Sequence, residues 1–405
     1  MTTSLDAQAP TPLSVSIDGV VKTYGGATNA LDHVSVTCTA GRFVVLLGAS
    51  GSGKTTLLRC VAGIEKITDG TIAIGGRPVA DRNTHLPPER RELAMVFQDY
   101  ALWPHMTAEQ NVAFALRRHR LASETARRRT RAMLERVGLG ILGHRYPNEL
   151  SGGEQQRVAL ARALVANTGL ILFDEPLSNL DAHLRDRLRV EIATLVRECG
   201  ATAIYITHDQ AEAFALGDDI GILSHGRLIQ MGSPEEIYLN PATAFVARFT
   251  GLAGELAVHV HGPSTGRNLQ VRLGDRLVEA RAPRPLQRGV PAQLLVRPSA
   301  GALVASSDDG ADLLGVVRDV AFRGRGYEHV VDLADGGRLH SLFSESKWSR
   351  GEQVGVKLDA EQCLLLEPEP SVEPSDRADN APLAVVSTSA KVTPAPDDVL
   401  FEGVG

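Results

Sequence analysis

A glycine-rich segment directly follows a short apolar run near the start of this chain. The apolar run is Phe43 to Leu47, and the segment reads Gly48-Ala49-Ser50-Gly51-Ser52-Gly53-Lys54-Thr55, with Thr56 after it. The spacing Gly-x-x-x-x-Gly-Lys-Thr between a strand and a helix is typical of a phosphate-binding loop, because backbone N–H groups at a helix N-terminus attract anions. The sequence therefore predicts an α/β fold with a largely parallel sheet and a nucleotide site at its edge.

The chemistry of this loop indicates a nucleoside triphosphate and Mg²⁺ as its cofactors. Lys54 is expected to reach the β- and γ-phosphates, and Thr55 is expected to hold Mg²⁺. A second apolar run, Leu170 to Phe173, is followed by the carboxylates Asp174 and Glu175. Asp174 is predicted to bind Mg²⁺, and Glu175 is predicted to polarise the attacking water as a general base.

Composition excludes several classes of protein. The 405 residues predict two or three domains, and the net charge of −6 argues against a role in wrapping nucleic acid. No apolar run approaches the roughly 18 residues that cross a bilayer, and no secretory signal is visible. Four widely spaced cysteines indicate small buried side chains in a reducing compartment, so we expect a cytosolic protein.

Composition shifts along the chain predict its domain organisation. Alternating strand-like and helix-like stretches give way to short alternating segments separated by turns, and then to a segment rich in Pro, Ser and Asp. The predicted parts are a disordered N-terminus (1–12), a nucleotide domain (13–240) with a helical subdomain (about 100–166), a linker (241–251), a small all-β domain (252–367) and a disordered tail (368–405). The arginine-rich stretch 117–131 is interpreted as a solvated helix face.

A third motif identifies a family. The segment Leu150-Ser151-Gly152-Gly153-Glu154-Gln155 resembles the LSGGQ-like signature of the ABC ATPases, with Glu154 where glutamine is usual. The other elements of that family stand in the expected order: Tyr24, Gln98 in Val96-Phe97-Gln98, Asp181 in Ser178-Asn179-Leu180-Asp181, and His208 in Thr207-His208-Asp209. The resemblance covers about residues 13–240.

The resemblance implies that the nucleotide is ATP and that its site is shared between two copies of the chain. Ser151 and Gly153, with Gly152 between them, would bind the γ-phosphate held by the opposite subunit of a homodimer. Gln98 would sense Mg²⁺ and the attacking water, and His208 would contact the γ-phosphate. Tyr24 would stack on adenine, and Asp181 would cross the dimer interface.

Further stretches resemble one branch of the family, the importer ATPases with a C-terminal regulatory β-domain. These stretches are Leu86 to Arg91, Met95 to Thr107 and Gly232 to Tyr238. The resemblance implies integral-membrane permease subunits that contact a surface at about 99–116, and a periplasmic or extracellular substrate-binding protein as an indirect partner. It also implies a peripheral location on the cytoplasmic face of the membrane. Ferric iron or a polyamine is the expected substrate, with a sugar or sulfate as the alternative.

Two other classes remain as alternatives. A non-transport ABC ATPase that acts on ribosomes or DNA commonly carries paired cassettes or long coiled coils, whereas this chain shows one cassette and no heptad run. An unrelated phosphate-loop kinase or GTPase would leave the segment from Ser151 to Gly153 without a purpose. Co-purification of permeases, or of ribosomes or DNA, separates the first two classes.

Overall fold

The computed structural model describes residues 10–25, 29–119, 121–263, 268–274 and 276–368. Most of the predicted N-terminal segment and nearly all of the predicted tail therefore lie outside the described residues. The helices are α1 (Lys54–Ala62), α2 (Ala108–Phe114), α3 (Ser123–Arg136), α4 (Gly152–Val165), α5 (Ala182–Cys199), α6 (Gln210–Leu216), α7 (Pro234–Leu239) and α8 (Ala244–Phe249). None of the helices in the described ranges is long and apolar enough to cross a membrane.

The strands form two sheets in the first part of the chain and a barrel with a further sheet in the second part. They are β1 (Val15–Thr23), β2 (Asn29–Cys38), β3 (Phe43–Leu47), β4 (Asp69–Ile74), β5 (Arg77–Ala80), β6 (Ala94–Val96), β7 (Leu170–Asp174), β8 (Thr202–Thr207), β9 (Asp219–Ser224), β10 (Arg227–Gly232), β11 (Gly254–Pro263), β12 (Asn268–Leu273), β13 (Arg276–Arg281), β14 (Pro291–Val296), β15 (Gly301–Ala305), β16 (Leu313–Phe322), β17 (Tyr327–Leu333), β18 (Arg338–Ser344), β19 (Gln353–Leu358) and β20 (Cys363–Leu366).

The central sheet has the strand order β10-β9-β3-β8-β7-β6. Neighbouring strands from β9 to β6 run parallel, and β10 pairs antiparallel with β9 at the edge. Every residue of β3 and β7 is buried, as continuous apolar runs predict. The α/β class is therefore confirmed, and the carboxyl ends of β3, β7 and β8 meet at one edge of the sheet.

Strand β3 divides its side chains between two cores because successive residues of a strand point to opposite faces. Val44 and Leu46 join a core that also contains residues of α1 and of the antiparallel sheet β2-β1-β4-β5. Phe43, Val45 and Leu47 join a larger core on the other face, which contains residues of α2 to α5. The central sheet is thus covered on both faces. This packing holds the strand ends in place, and with them the loops that leave the carboxyl edge of the sheet.

The β-domain consists of the closed barrel β11-β12-β13-β20-β14 and the five-stranded sheet β15-β19-β16-β17-β18. Residues of both parts share one hydrophobic core. The segment 241–251, predicted as a linker, contains the helix α8. Ala244 and Ala247 of α8 are buried against Leu295 of β14 and Leu364 of β20, so this helix packs on the barrel.

Arg297 fastens the β-domain to the helices that precede it. Its side chain is buried, and its guanidinium donates to the carbonyl oxygens of Ala247 (3.0 Å) and Gly251 (2.7 Å) and to Oγ1 of Thr250 (3.0 Å). It also donates to the carbonyl oxygen of Tyr238 and lies 4.1 Å from the centre of that ring. Burial lowers the pKa of Arg297 to about 10, so the side chain stays charged at neutral pH.

Candidate active site

The phosphate loop connects the end of β3 to the start of α1. Lys54 is buried, and its Nζ donates to the carbonyl oxygens of Gly48 at 2.8 Å and Ala49 at 2.9 Å. Gly53 has a φ of 100°, and a Cβ at this position would lie 2.7 Å from the carbonyl oxygen of Ala30. Only glycine fits there without strain. Ala49, Ser50 and Gly51 are exposed, Ser52 is buried, and Gly53, Thr55 and Thr56 are partly buried.

Thr55 and Asp174 form an oxygen pair beside the loop. The Thr55 hydroxyl donates to Oδ1 of Asp174 at 3.3 Å, although 119 residues separate the two in the chain. Burial raises the pKa of the Asp174 carboxyl above its ordinary value, while Arg59 and the Thr55 hydrogen bond oppose the rise. A hydroxyl and a carboxylate are the hard oxygen donors that Mg²⁺ takes together with phosphate oxygens and water. The pair therefore fits Mg²⁺.

Glu175 and His208 lie at the ends of neighbouring strands, β7 and β8. Nδ1 of His208 is 3.2 Å from Oε2 of Glu175. The Glu175 side chain is 19% exposed and that of His208 is 52% exposed, so the pair borders solvent at the loop edge. Glu175 has a φ of 45°, a left-handed conformation that a non-glycine residue adopts at some cost in free energy.

Gln98 differs from this group. It is exposed, and its described contact is made by its backbone: the carbonyl oxygen accepts a hydrogen bond from Nδ2 of Asn179 at 3.1 Å. Among the described residues, no hydrogen bond joins the Gln98 side chain to Thr55 or Asp174. Asn179 therefore ties the loop of Gln98 to the loop that precedes α5.

Ser151 caps α4 and is exposed. Its backbone N–H and its hydroxyl both donate to Oε2 of Glu154 at 2.8 Å, and its Oγ accepts from the backbone N–H of Glu154 at 3.4 Å. Gly152 is exposed, whereas Gly153 is buried, and a Cβ on Gly153 would lie 2.8 Å from a methyl group of Leu184. No hydrogen bond within the described part of the chain joins this segment to the phosphate loop.

Asp181 caps α5 by accepting from the backbone N–H of Leu184 at 3.0 Å. One turn further on, Arg185 donates to the carbonyl oxygen of Leu180 at 3.0 Å and to Oδ2 of Asp209 at 3.3 Å. Sequence reasoning missed Arg185. Its spacing from Asp181, and the position of Asp209 directly after His208, were the signals available in the sequence.

Tyr24 presents an aromatic ring to solvent. The residue is 51% exposed, and Nζ of Lys22 lies 4.6 Å from the ring centre. An exposed ring with this support is suited to stacking on a flat base. No described contact joins Tyr24 to the phosphate loop.

A cavity of about 540 Å³ opens beside the loop of Gln98. Its lining is mainly apolar and consists of Met95, Phe97, Ala101, Leu102, Trp103, Pro104, Phe114 and Arg162. Arg162 donates to the carbonyl oxygens of Tyr100 (2.7 Å) and Ala101 (2.6 Å), two residues with φ of 62° and 45°. Arg162 thereby holds a strained turn that shapes this cavity, which we call the groove.

Comparisons with known proteins give two family matches and several long alignments. The family model described as ABC transporter matches residues 31–178, and the model described as TOBE domain matches residues 294–366. The chain is 44% identical over 325 residues to the Fe(3+) ions import ATP-binding protein FbpC of Brucella melitensis, covering 80% of this chain and 89% of that relative. It is 40% identical over 363 residues to the spermidine/putrescine import ATP-binding protein PotA of Pseudomonas fluorescens, covering 88% of this chain and 99% of that relative.

A solved structure is also similar. It is a dimeric post-hydrolysis state of the ATP-binding cassette MJ0796 bound to ADP and Pi, 32% identical, with a TM-score of 0.49, and the match covers 54% of this chain and 98% of that one. The two sequence relatives thus align with most of this chain.

Proposed function

This chain belongs to the ABC transporter ATP-binding family, and we propose that it hydrolyses ATP to energise an importer of ferric iron or a polyamine. The observation that carries the proposal is the convergence of Lys54, Asp174, Glu175 and His208 at the carboxyl edge of one parallel sheet. Burial lowers the pKa of Lys54, and the carboxylates of Glu175 and Asp174 oppose this effect. A cation, a metal-binding carboxylate and a candidate base thus share one site.

Hydrolysis at this site requires charge neutralisation and an oriented water. Backbone N–H groups of the phosphate loop and the Lys54 ammonium bind the β- and γ-phosphates of ATP. Thr55 and Asp174 would hold Mg²⁺, which would neutralise part of the phosphate charge. Glu175 accepts a proton from the attacking water, and His208 orients the Glu175 carboxylate and lies at the edge where the γ-phosphate is bound.

Two copies of the chain complete each site in this proposal. Ser151, Gly153 and the N-terminus of α4 offer a hydroxyl and backbone donors that suit an anion, but these donors make no described contact with the loop of their own chain. The γ-phosphate bound by one copy therefore meets Ser151 of the other copy. Tyr24 stacks on adenine, Asp181 lies at the interface, and Gln98 would sense Mg²⁺ and the attacking water when the dimer closes.

The groove is the proposed contact for a permease. Five of its lining residues fall within the predicted surface at 99–116: Ala101, Leu102, Trp103, Pro104 and Phe114. A short helix of a membrane subunit fits an apolar groove of this kind. Such a contact places the chain on the cytoplasmic face of the membrane, and a substrate-binding protein then meets only the permease.

Uptake measurements test the proposal and its substrate. Cells that lack this chain are supplied with the wild-type chain or with Lys54→Ala, and the uptake of radioactive ferric iron and of spermidine is measured. We expect the wild-type chain alone to restore uptake of one of the two. Equal uptake of both substrates in all three strains would exclude ferric-iron and polyamine import, and recovery of ribosomes or DNA with the purified chain would favour the non-transport class.

A further inference from the structure

Glu154 occupies the donors that the proposed function assigns to a phosphate. Its Oε2 atom accepts hydrogen bonds from both the backbone N–H and the hydroxyl of Ser151, each at 2.8 Å. The contacts are made at the N-terminus of α4, where the helix dipole favours a negative charge. An internal carboxylate thus sits where an external anion is expected.

The carboxylate is held as an anion. The backbone and hydroxyl hydrogen bonds from Ser151 lower the pKa of Glu154, with smaller contributions from Arg145 and Arg157. Arg157 itself is paired with Glu191 at 3.2 Å. At neutral pH, Glu154 therefore carries a full negative charge beside Ser151.

A phosphate and this carboxylate cannot use the same donors together. A serine hydroxyl carries one hydrogen and a backbone amide carries one, so a bond to a phosphate oxygen removes a bond to Glu154. In addition, two anions close together repel each other, and the repulsion grows as the interface excludes water. The residue expected in the family pattern at this position, glutamine, can accept the same hydrogen bonds without the charge.

We propose that Glu154 is a positioning residue that competes with the γ-phosphate of the partner-bound ATP for Ser151, and so sets the ATP concentration at which the dimer closes. The inference rests on the proposed shared site. When ATP binds, Glu154 releases the Ser151 donors. After hydrolysis, when the phosphate has left the interface, Glu154 accepts hydrogen bonds from these donors again. The competition weakens the closed dimer and favours its separation after each cycle.

The variant Glu154→Gln isolates the charge. Glutamine at this position also forms a capping box with serine, so α4 keeps its start. In a Glu175→Gln background, which traps ATP, the concentration of ATP for half-maximal dimerisation is measured by sedimentation velocity. We expect Glu154→Gln to lower it about fivefold, the factor for two unit charges about 4 Å apart in water. The shift should shrink in high salt.

Glu149→Gln is the matched control. Glu149 accepts from the backbone N–H of Tyr146 at 2.8 Å, in a capping box at the start of the 3₁₀ helix Pro147–Glu149, and has no described hydrogen bond to Ser151. The Glu149→Gln variant removes the same charge from a neighbouring capping box. We expect Glu149→Gln to leave the ATP requirement unchanged.

The steady-state kinetics give a second readout. In the chain with Glu175 intact, Glu154→Gln should lower KM for ATP without raising kcat, because a tighter closed dimer separates more slowly. An effect on helix stability alone would lower the melting temperature and leave both KM for ATP and kcat unchanged.

Each outcome decides the inference. An ATP requirement equal to that of the Glu175→Gln background overturns the competition but leaves the shared site intact. An equal shift in Glu149→Gln assigns the effect to general surface charge and also overturns it. If no variant dimerises at saturating ATP, the shared site of the proposed function fails, and the inference fails with it.

Discussion

The imidazole of His208 contacts the carboxylate of Glu175 at 3.2 Å, across 33 residues of chain. The contact exists because β7 and β8 are neighbouring parallel strands, so the residues that follow Asp174 and Thr207 leave the sheet side by side. In the proposed function, His208 orients the Glu175 carboxylate toward the attacking water. Substitutions in this pair give the most direct test of ATP turnover at the site.

Replacing Glu175 with glutamine removes the proposed base while keeping the size of the side chain. We expect ATP hydrolysis to fall at least about 100-fold, the usual effect of losing a positioned general base. Binding of ATP should persist, because Lys54 and the phosphate loop are unchanged. Phosphate release and equilibrium nucleotide binding measure the two effects, and an unchanged hydrolysis rate would remove Glu175 as the base.

Replacing Ser151 with arginine places a large side chain at the start of α4. We expect hydrolysis to be blocked while nucleotide binding by the monomer is retained, since Ser151 has no described contact with the loop of its own chain. Mixing Ser151→Arg with Lys54→Ala provides the decisive measurement. A mixed dimer contains one intact shared site and should regain part of the activity, whereas a site formed by one chain gives no recovery.

Trp103 is the largest exposed apolar residue of the groove, at 43% exposure. Its ring lies 5.5 Å from that of Phe114, so Trp103→Ala widens the groove and removes a flat contact surface. We expect weaker co-purification with the permease and a loss of uptake of about tenfold or more, as for a hot spot in an interface. Ile141→Ala, which alters a residue 85% exposed outside the groove lining, is the control. Equal losses in both variants would count against the groove.

Arg297, which follows β14, donates hydrogen bonds to carbonyl oxygens of α7, of α8 and of Gly251 just after α8. We expect Arg297→Met to lower the free energy of unfolding by about 2–4 kcal/mol, because buried acceptors lose their partners. Arg297→Lys should recover only part of the loss, since an ammonium lacks the planar fork of donors. Urea unfolding measures these values against Arg288→Met, a change at an exposed arginine of the same domain. A loss no greater than that of the control would contradict this role.

Glu212 gives a pH-dependent prediction. It is buried, and it accepts a hydrogen bond from the Tyr205 hydroxyl at 2.9 Å. Burial raises the pKa of Glu212 above its ordinary value of 4.5, so the ionised carboxylate costs free energy at neutral pH. Glu212→Gln keeps the acceptor without the charge, so it should raise the free energy of unfolding at neutral pH, because a neutral amide avoids the cost of a buried charge.

The sign of this effect is fixed by linkage. The contribution of Glu212 to stability is present below the ordinary pKa and is lost as the pH rises through the raised folded pKa. The difference in unfolding free energy between the variant and the wild type should therefore grow as the pH rises from the ordinary pKa of 4.5 through the raised folded pKa, and then level off. A difference independent of pH would show that hydrogen bonding or packing, not charge, dominates at this residue.

Local sequence predicted the parts of the site that are contiguous in the chain. The strand, loop and helix around Lys54 follow one another directly, and their glycines and apolar residues are sufficient to specify them. The pairing of Ser151 with Glu154 also spans a single turn, as a capping box does, although sequence reasoning did not single it out. The relative positions of Lys54, Asp174 and His208 were accessible because the carboxyl ends of parallel strands share one edge.

Three arginines illustrate what only the tertiary structure decided. Arg42, for which the sequence indicated no role, forms a two-point pair with Asp219 at 2.8 Å across 177 residues. Arg91 is buried and donates to carbonyl oxygens of Cys60, Val61, Leu86 and Val79, and Arg297 does the same between two domains. An arginine is exposed by default, and it is buried only where unpaired carbonyl oxygens from distant segments converge. That convergence depends on how the helices and strands pack together, and the residues next to each arginine in the sequence do not determine this packing.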